Sequence, residues 1–185
     1  MKENVPAESP CIQNVAVYCS SHEGLSPAVE KAAHELGARI GYREKTLVYG
    51  GVSKGLMEIV AKAVKENGGN VVGVVPKYME CRGRCSEWLD KCIECEGLSE
   101  RKEIMMREAD IAVALPGGIG TLDEVVTLLA TRQVGEHAVS VYLLDVEGCW
   151  QPFVSLLQDW QERGFVSETL VRGINVVDDI SSIPF

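Results

Sequence analysis

Short apolar runs alternate with longer segments of helical spacing along most of the chain. Val15 to Cys19, Thr46 to Tyr49, Val71 to Val75, Ile111 to Leu115 and Val139 to Leu144 are β-prone runs. Between the first two, the segment from Ala28 to Tyr42 sets Val29, Ala32, Ala33, Leu36 and Ile40 on one helical face. Segments 56–66, 99–108, 122–131 and 151–163 also read as helices, and a short last strand is expected over Asn175 to Val177. The polar stretch from Lys77 to Glu96 fits neither period. Strands that are apolar throughout, alternating with helices, predict an α/β fold: a Rossmann-like, doubly wound parallel sheet with helices on both faces. One domain over residues 13–185 is expected, after a flexible N-terminal tail, 1–12, that holds Pro6 and Pro10 and no apolar core.

In such folds ligands sit beyond the carboxyl ends of the strands, where the chain reverses its winding. The polar or glycine-rich breaks after Cys19, Tyr49 and Leu115 all fall at predicted strand ends. Composition narrows the ligand. A net charge of −9 argues against a nucleic-acid polymer, whose phosphates need a basic surface, but leaves room for a small anion held by local donors. No apolar run approaches a membrane span and no signal sequence is recognisable, so a cytoplasmic protein with no membrane partner is expected.

The break after Leu115 is the sharpest feature. Gly117, Gly118 and Gly120 allow a tight turn and close approach of a ligand to main-chain N–H groups. The helix expected from Leu122 would turn its N-terminal dipole toward an anion such as phosphate, and Thr121 could add a hydroxyl. The same residues read equally well as a plain turn, with Thr121 and Glu124 as a capping box. The run lacks the third glycine of a dinucleotide fingerprint. A second loop, Gly50 to Gly55, is not a Walker A loop, because Lys54 precedes its last glycine.

Arg101 opens the helix before the main loop, at the edge of a stripe with Ile104, Met105 and Glu108. It reads either as a solvated helix start or as an inward guanidinium paired with a carboxylate or phosphate. Of seven cysteines, Cys81, Cys85, Cys92 and Cys95 lie close together, and the last two have zinc-ribbon spacing. A structural zinc ion held by these four is the alternative to an expectation of no metal.

These pieces together resemble the LOG (LONELY GUY) family, often labelled lysine decarboxylases. The resemblance rests on Cys19-Ser20-Ser21, on Tyr49 to Met57, on Arg101-Lys102-x-x-Met105, and on Pro116-Gly117-Gly118-Ile119-Gly120-Thr121-x-x-Glu124. It implies cleavage of the N-glycosidic bond of a cytokinin riboside 5′-monophosphate, or of AMP, to free base and ribose 5-phosphate. It also implies Arg101 and Glu124 as the catalytic pair, with Arg101 holding Glu124 ionised. Gly118 to Thr121 would hold the phosphate. The motifs further supply Ser21, Gly51, Lys102, Gly117 and Asp123 as candidate substrate contacts. No cofactor is implied, and a homodimer is.

Departures from the family pattern touch the base side and the dimer-facing side more than the phosphate side. Glu58 follows Leu56-Met57 where the family has glycine, Leu98-Ser99 replaces Met-His, and the family Trp and Lys-Pro are absent after the second helix motif. They leave base preference open. The alternative is a non-catalytic carrier or sensor of a nucleotide or of molybdenum cofactor, a class that resembles the family in fold and glycine loops. Such a carrier would need the loop but not the Arg101–Glu124 pair.

Overall fold

The computed structural model describes residues 12–80 and 85–185, so the tail expected over 1–12 lies, but for Ile12, outside the described residues. The elements alternate as the apolar pattern predicts. They run β1 (Asn14–Tyr18), α1 (Pro27–Tyr42), β2 (Thr46–Tyr49), α2 (Gly55–Glu66), β3 (Asn70–Pro76), α3 (Lys77–Glu80) and β4 (Lys91–Cys95). The second half runs α4 (Leu98–Glu108), β5 (Ile111–Ala114), α5 (Ile119–Gln133), β6 (Ser140–Leu144), α6 (Gln151–Glu162), α7 (Glu168–Arg172) and β7 (Ile174–Val177), then a 3₁₀ turn, Ile180–Ser182.

The strands form one parallel sheet in the order β4-β3-β2-β1-β5-β6-β7. Winding therefore proceeds outward in both directions from β1 and β5. Alternation along a strand sends successive side chains to opposite faces. Val15 and Val17 join a core with Val29, Leu36 and Ile40 of α1 and Val60 and Val64 of α2. Ala16 and Tyr18 join the opposite core, with Ile104 and Met105 of α4 and Val125, Leu128 and Leu129 of α5. Both faces are thus covered, as a parallel sheet requires.

Several elements depart from the sequence reading. The stretch 77–96, which fits neither period, contains α3 and the edge strand β4. At Lys91, Cys92 and Glu94 that strand is exposed, so it never shows a continuous apolar run. Helix α5 begins at Ile119, three residues before the expected start, with Gly118 as its N-cap. Thr121 therefore lies inside the first turn, and the Thr121–Glu124 capping box does not form.

Candidate active site

The adjacent strands β1 and β5 send their chains to opposite faces of the sheet, and a crevice opens beyond their carboxyl ends. Its floor is stitched by Leu115 N–H donating to the Tyr18 carbonyl (2.9 Å) and Ser20 N–H to the Pro116 carbonyl (3.3 Å). Leu122 N–H makes an early α5 bond, to the Gly118 carbonyl at 3.0 Å. The N–H groups of Ile119, Gly120 and Thr121 precede it and face the crevice end of the helix dipole. Gly117 has a separate purpose: a Cβ there would overlap the Thr121 hydroxyl, so its absence lets Thr121 tuck under the turn, where it is buried.

Here a cleft of about 370 Å³ forms, within the range of about 300–1,000 Å³ usual for small-molecule sites. Of the predicted contacts, Ser21, Arg101, Lys102, Gly118, Ile119, Gly120, Thr121, Asp123 and Glu124 all border it. Gly51 and Gly117 do not. Gly51 sits behind the wall in a left-handed turn (φ 70°), close against Val75. Gly117 lines shallower grooves on the α6 and α1 sides of the loop. Six further residues share the cleft without having stood out as contacts: Cys19, Ser20, His22, Met57, Met79 and Leu98. The first three belong to the turn after β1 and Met57 to the second glycine motif, so the motifs reached their neighbourhood. Met79 lies within the polar stretch and Leu98 just after it, where no sequence signal pointed inward.

Arg101 resolves in favour of the inward reading. It is only 6% exposed, although it stands in the first turn of α4. Its guanidinium packs on the Gly50 backbone, and its Nε and Nη2 are buried without a hydrogen-bond partner. Leaving such donors unpaired is costly, so the group is poised for an acceptor from outside. Glu124 faces the same cleft from α5. Burial raises its carboxyl from the ordinary 4.5 to about 7, with Asp123 adding to the rise and Arg101 and Lys102 opposing it. The expectation that Arg101 holds Glu124 ionised is therefore corrected: no direct ion pair joins the two, and desolvation outweighs the guanidinium's attraction.

Lys102 is engaged elsewhere. Its Nζ donates to both carboxylate oxygens of Asp123 (2.9 and 2.8 Å) and to Thr127 Oγ1 (3.0 Å), tying α4 to α5. Among the described residues that border the cleft it is the one lysine, and this engagement leaves no Schiff-base candidate there.

The zinc expectation fares differently. Cys81 lies outside the described residues, and among those described no group of three His, Cys, Asp or Glu is arranged to hold a metal ion. Cys92 and Cys95 stand on β4, where an odd spacing points side chains to opposite faces. Cys92 is exposed and Cys95 buried, its Sγ donating to the Gly97 carbonyl at 3.6 Å. A metal knuckle needs a turn at that spacing, and the strand removes it.

A doubly wound α/β domain with an anion-ready helix N-terminus, an unpaired arginine and a desolvated carboxylate at the switch point defines the class. Comparisons with known proteins define the family. A family model described as "Possible lysine decarboxylase" matches residues 57–184. The cytokinin riboside 5′-monophosphate phosphoribohydrolase LOG of Oryza sativa subsp. japonica is 40% identical over 160 residues, covering 86% of this chain and 66% of that protein. A probable phosphoribohydrolase, LOG4, of the same species is 37% identical, covering 91% and 73%. LOG7 of Arabidopsis thaliana is 36% identical, covering 84% and 71%. The chain belongs to the LOG family of phosphoribohydrolases.

Solved structures agree on the architecture. The molybdenum cofactor carrier protein of Chlamydomonas reinhardtii superposes with a TM-score of 0.70 at 24% identity, over 92% of each chain. The molybdenum cofactor binding protein of Rippkaea orientalis gives 0.68 at 21%, again over 92% of each. At that identity the likeness is one of fold alone. Among the described residues no helix is long and apolar enough to cross a membrane.

Proposed function

We propose that the protein hydrolyses the N-glycosidic bond of a nucleoside 5′-monophosphate of the cytokinin riboside type, releasing the base and ribose 5-phosphate. The observation that carries this reading is Glu124: a carboxylate one turn into α5, beside the phosphate-ready N–H groups, with its pKa lifted to about 7. A phosphate on the N–H groups of Ile119, Gly120 and Thr121 would set the attached ribose next to that carboxyl. As the C1′–N bond breaks, the bonding pair leaves with the base and positive charge develops on the ribose. Ionised Glu124 stabilises that charge and takes a proton from the water whose oxygen bonds C1′. The departing base nitrogen collects a proton from solvent. Arg101, with two unpaired donors, supplies the acceptor-seeking group on the opposite wall.

Met57, Met79 and Leu98 add apolar side chains to the lining of the cleft. This supports a base bearing an apolar N6-substituent over unmodified AMP, because thioether and leucine side chains gain by covering an isoprenoid chain. Ile119 (83% exposed) and Leu98 (52%) stand at the cleft rim, which supports a homodimer whose partner covers them. A carrier of molybdenum cofactor or nucleotide would need the glycine loop but gains nothing from a desolvated carboxylate, so Glu124 favours the enzyme. The test is incubation with N6-isopentenyl-AMP and with AMP, followed by chromatography for base and ribose 5-phosphate. Release of neither base from either nucleotide would overturn the hydrolase reading.

A further inference from the structure

Met57 places its sulfur beside the unpaired guanidinium of the cleft. Its backbone is fixed by the first turn of α2: Leu56 N–H donates to the Ser20 carbonyl at 3.1 Å, and a Cβ on Gly55 would overlap the His22 carbonyl oxygen. From that turn the half-buried Met57 side chain borders the cleft and reaches the Gly50 backbone, where it meets Arg101. A Cβ at position 50 would stand 3.3 Å from the Met57 sulfur and 1.5 Å from Arg101 Nη2, so no more than the sum of those distances separates the two atoms. Nη2 is buried and has no hydrogen-bond partner. A thioether is only a weak acceptor, so the donor stays unmet beside it.

A sulfoxide would be a different neighbour. Hydrogen peroxide is water-sized and fits a cleft of about 370 Å³. The thioether lone pair attacks one peroxide oxygen: the O–O bond breaks, an S–O bond forms, and a proton passes to the second oxygen, which leaves as water. Sulfur gives up two electrons, and an apolar side chain gains a strong acceptor one bond from the sulfur. We propose that Met57 is an oxidation site that switches the cleft off: its sulfoxide oxygen accepts from Arg101 Nη2 and occupies the donor that a ligand would use. The other methionine sulfurs are worse placed. Met105 is buried in the core, and the Met106 sulfur already accepts from Thr131 Oγ1 at 3.4 Å. The Cys19 thiol also borders the cleft, but burial pushes its pKa well up, so it lacks the thiolate that reacts with peroxide. The inference takes from the nucleotide-hydrolase reading only its probe ligand, AMP.

In the test the full chain is treated with hydrogen peroxide and then with dithiothreitol, which returns disulfides and sulfenic acids to thiols but leaves sulfoxides. Peptide mass spectrometry should find the added oxygen on Met57 ahead of Met105 and Met106. Affinity for AMP, read by calorimetry, should fall about tenfold, and the two methionine sulfoxide reductases should restore it. Met57→Leu should keep whatever affinity it has before treatment, while Met79→Leu should lose affinity as the unsubstituted protein does. Met57→Gln, which carries a permanent acceptor, should bind AMP weakly without any peroxide. Capture of the guanidinium is told from crowding of the cleft by Arg101→Gln, whose remaining affinity should not fall further on oxidation. In a crystal structure of the oxidised protein the sulfoxide oxygen should lie within about 3.2 Å of Nη2. A Met57 that stays unoxidised, an oxygen turned away from Nη2, an equal loss in Met57→Leu, or a full further loss in Arg101→Gln would each overturn the switch. If the untreated protein binds AMP but cleaves no nucleotide, and oxidation still weakens that binding, the hydrolase reading falls and the switch stands.

Discussion

The Arg101 guanidinium occupies the space that a side chain at position 50 would need. A Cβ on Gly50 would overlap Nη2 and press against the guanidinium carbon, with the Met57 sulfur 3.3 Å away. Glycine at the end of β2 is thus required by a residue of α4, some fifty positions later, and not only by its own turn. Gly50→Ala should displace Arg101 while leaving the sheet intact. Misplacing a catalytic group by about 1 Å can cost on the order of a hundredfold, so kcat/KM should fall by about that factor while the far-ultraviolet circular dichroism stays the same. A Gly50→Ala protein of full activity would remove Arg101 from the catalytic machinery.

Glu124→Gln separates function from stability. The carboxamide keeps the volume but cannot take a proton from water, so hydrolysis should drop by about 10²–10⁴ while nucleotide binding, read by calorimetry, persists. The variant should also be more thermostable than the unsubstituted protein at pH 8, because a desolvated carboxylate costs folding energy that a neutral amide does not. Retention of turnover would contradict the proposed role of Glu124.

The same carboxyl sets a pH dependence with a definite sign. Its folded pKa of about 7 exceeds the ordinary 4.5, and burial is the main cause. The folded state therefore holds this proton more tightly than the unfolded chain. Its contribution to stability is fully present below about pH 4.5 and is lost as pH rises through about 7. The stability gain of Glu124→Gln should accordingly vanish near pH 4.5 and reach its full size by pH 8. In kinetics the ionised form is the active one, so kcat/KM should rise along an acid limb with a midpoint near pH 7. A limb centred near 4.5 would mean that Glu124 is far better solvated than its surroundings imply.

How far the sequence revealed this arrangement differs across the cleft. The glycine-loop end was legible because each of its features leaves a mark in local sequence: glycines for close approach, a helix start, and an arginine at a fixed helical offset. The apolar strands of the buried sheet were legible for the same reason, since a parallel interior demands unbroken β-branched and small residues. The rest of the cleft was not. Met79 reaches the cleft through α3, and β4 is an edge strand whose solvated positions hide its period. Glu58 reads as an ordinary charged helix residue until Ser86 and Trp88 fold back onto it. The start of α5 was misread because a Thr-x-x-Glu spacing fits a capping box, while Gly118 takes the N-cap position and tucks Thr121 into the first turn. The direction of Glu124's shift was missed too, because desolvation depends on packing that no spacing encodes.

Lys102 carries the last prediction. The sequence motif suggests a substrate contact, yet its three ammonium hydrogens match three acceptors already in place: two oxygens of Asp123 and the hydroxyl of Thr127. Thr127 Oγ1 itself donates to the Asp123 carbonyl at 2.7 Å, so the cluster is closed on itself. It ties α4, which carries Arg101, to α5, which carries Glu124, and its work is to keep those two helices in register. The Lys102 side chain is 19% exposed and that of Asp123 59%, so solvent screening limits the tie to about 0.5–1 kcal/mol. Lys102→Met and Asp123→Ala should therefore lower kcat/KM to a similar, moderate extent, about three- to tenfold. The double substitution should be no worse than either single one. A lysine that grips phosphate directly would behave otherwise: Lys102→Met alone would raise KM strongly and abolish inhibition by inorganic phosphate, with Asp123→Ala leaving both unchanged. Non-additivity in the first pattern, measured with one nucleotide at fixed ionic strength, identifies Lys102 as the strut between α4 and α5.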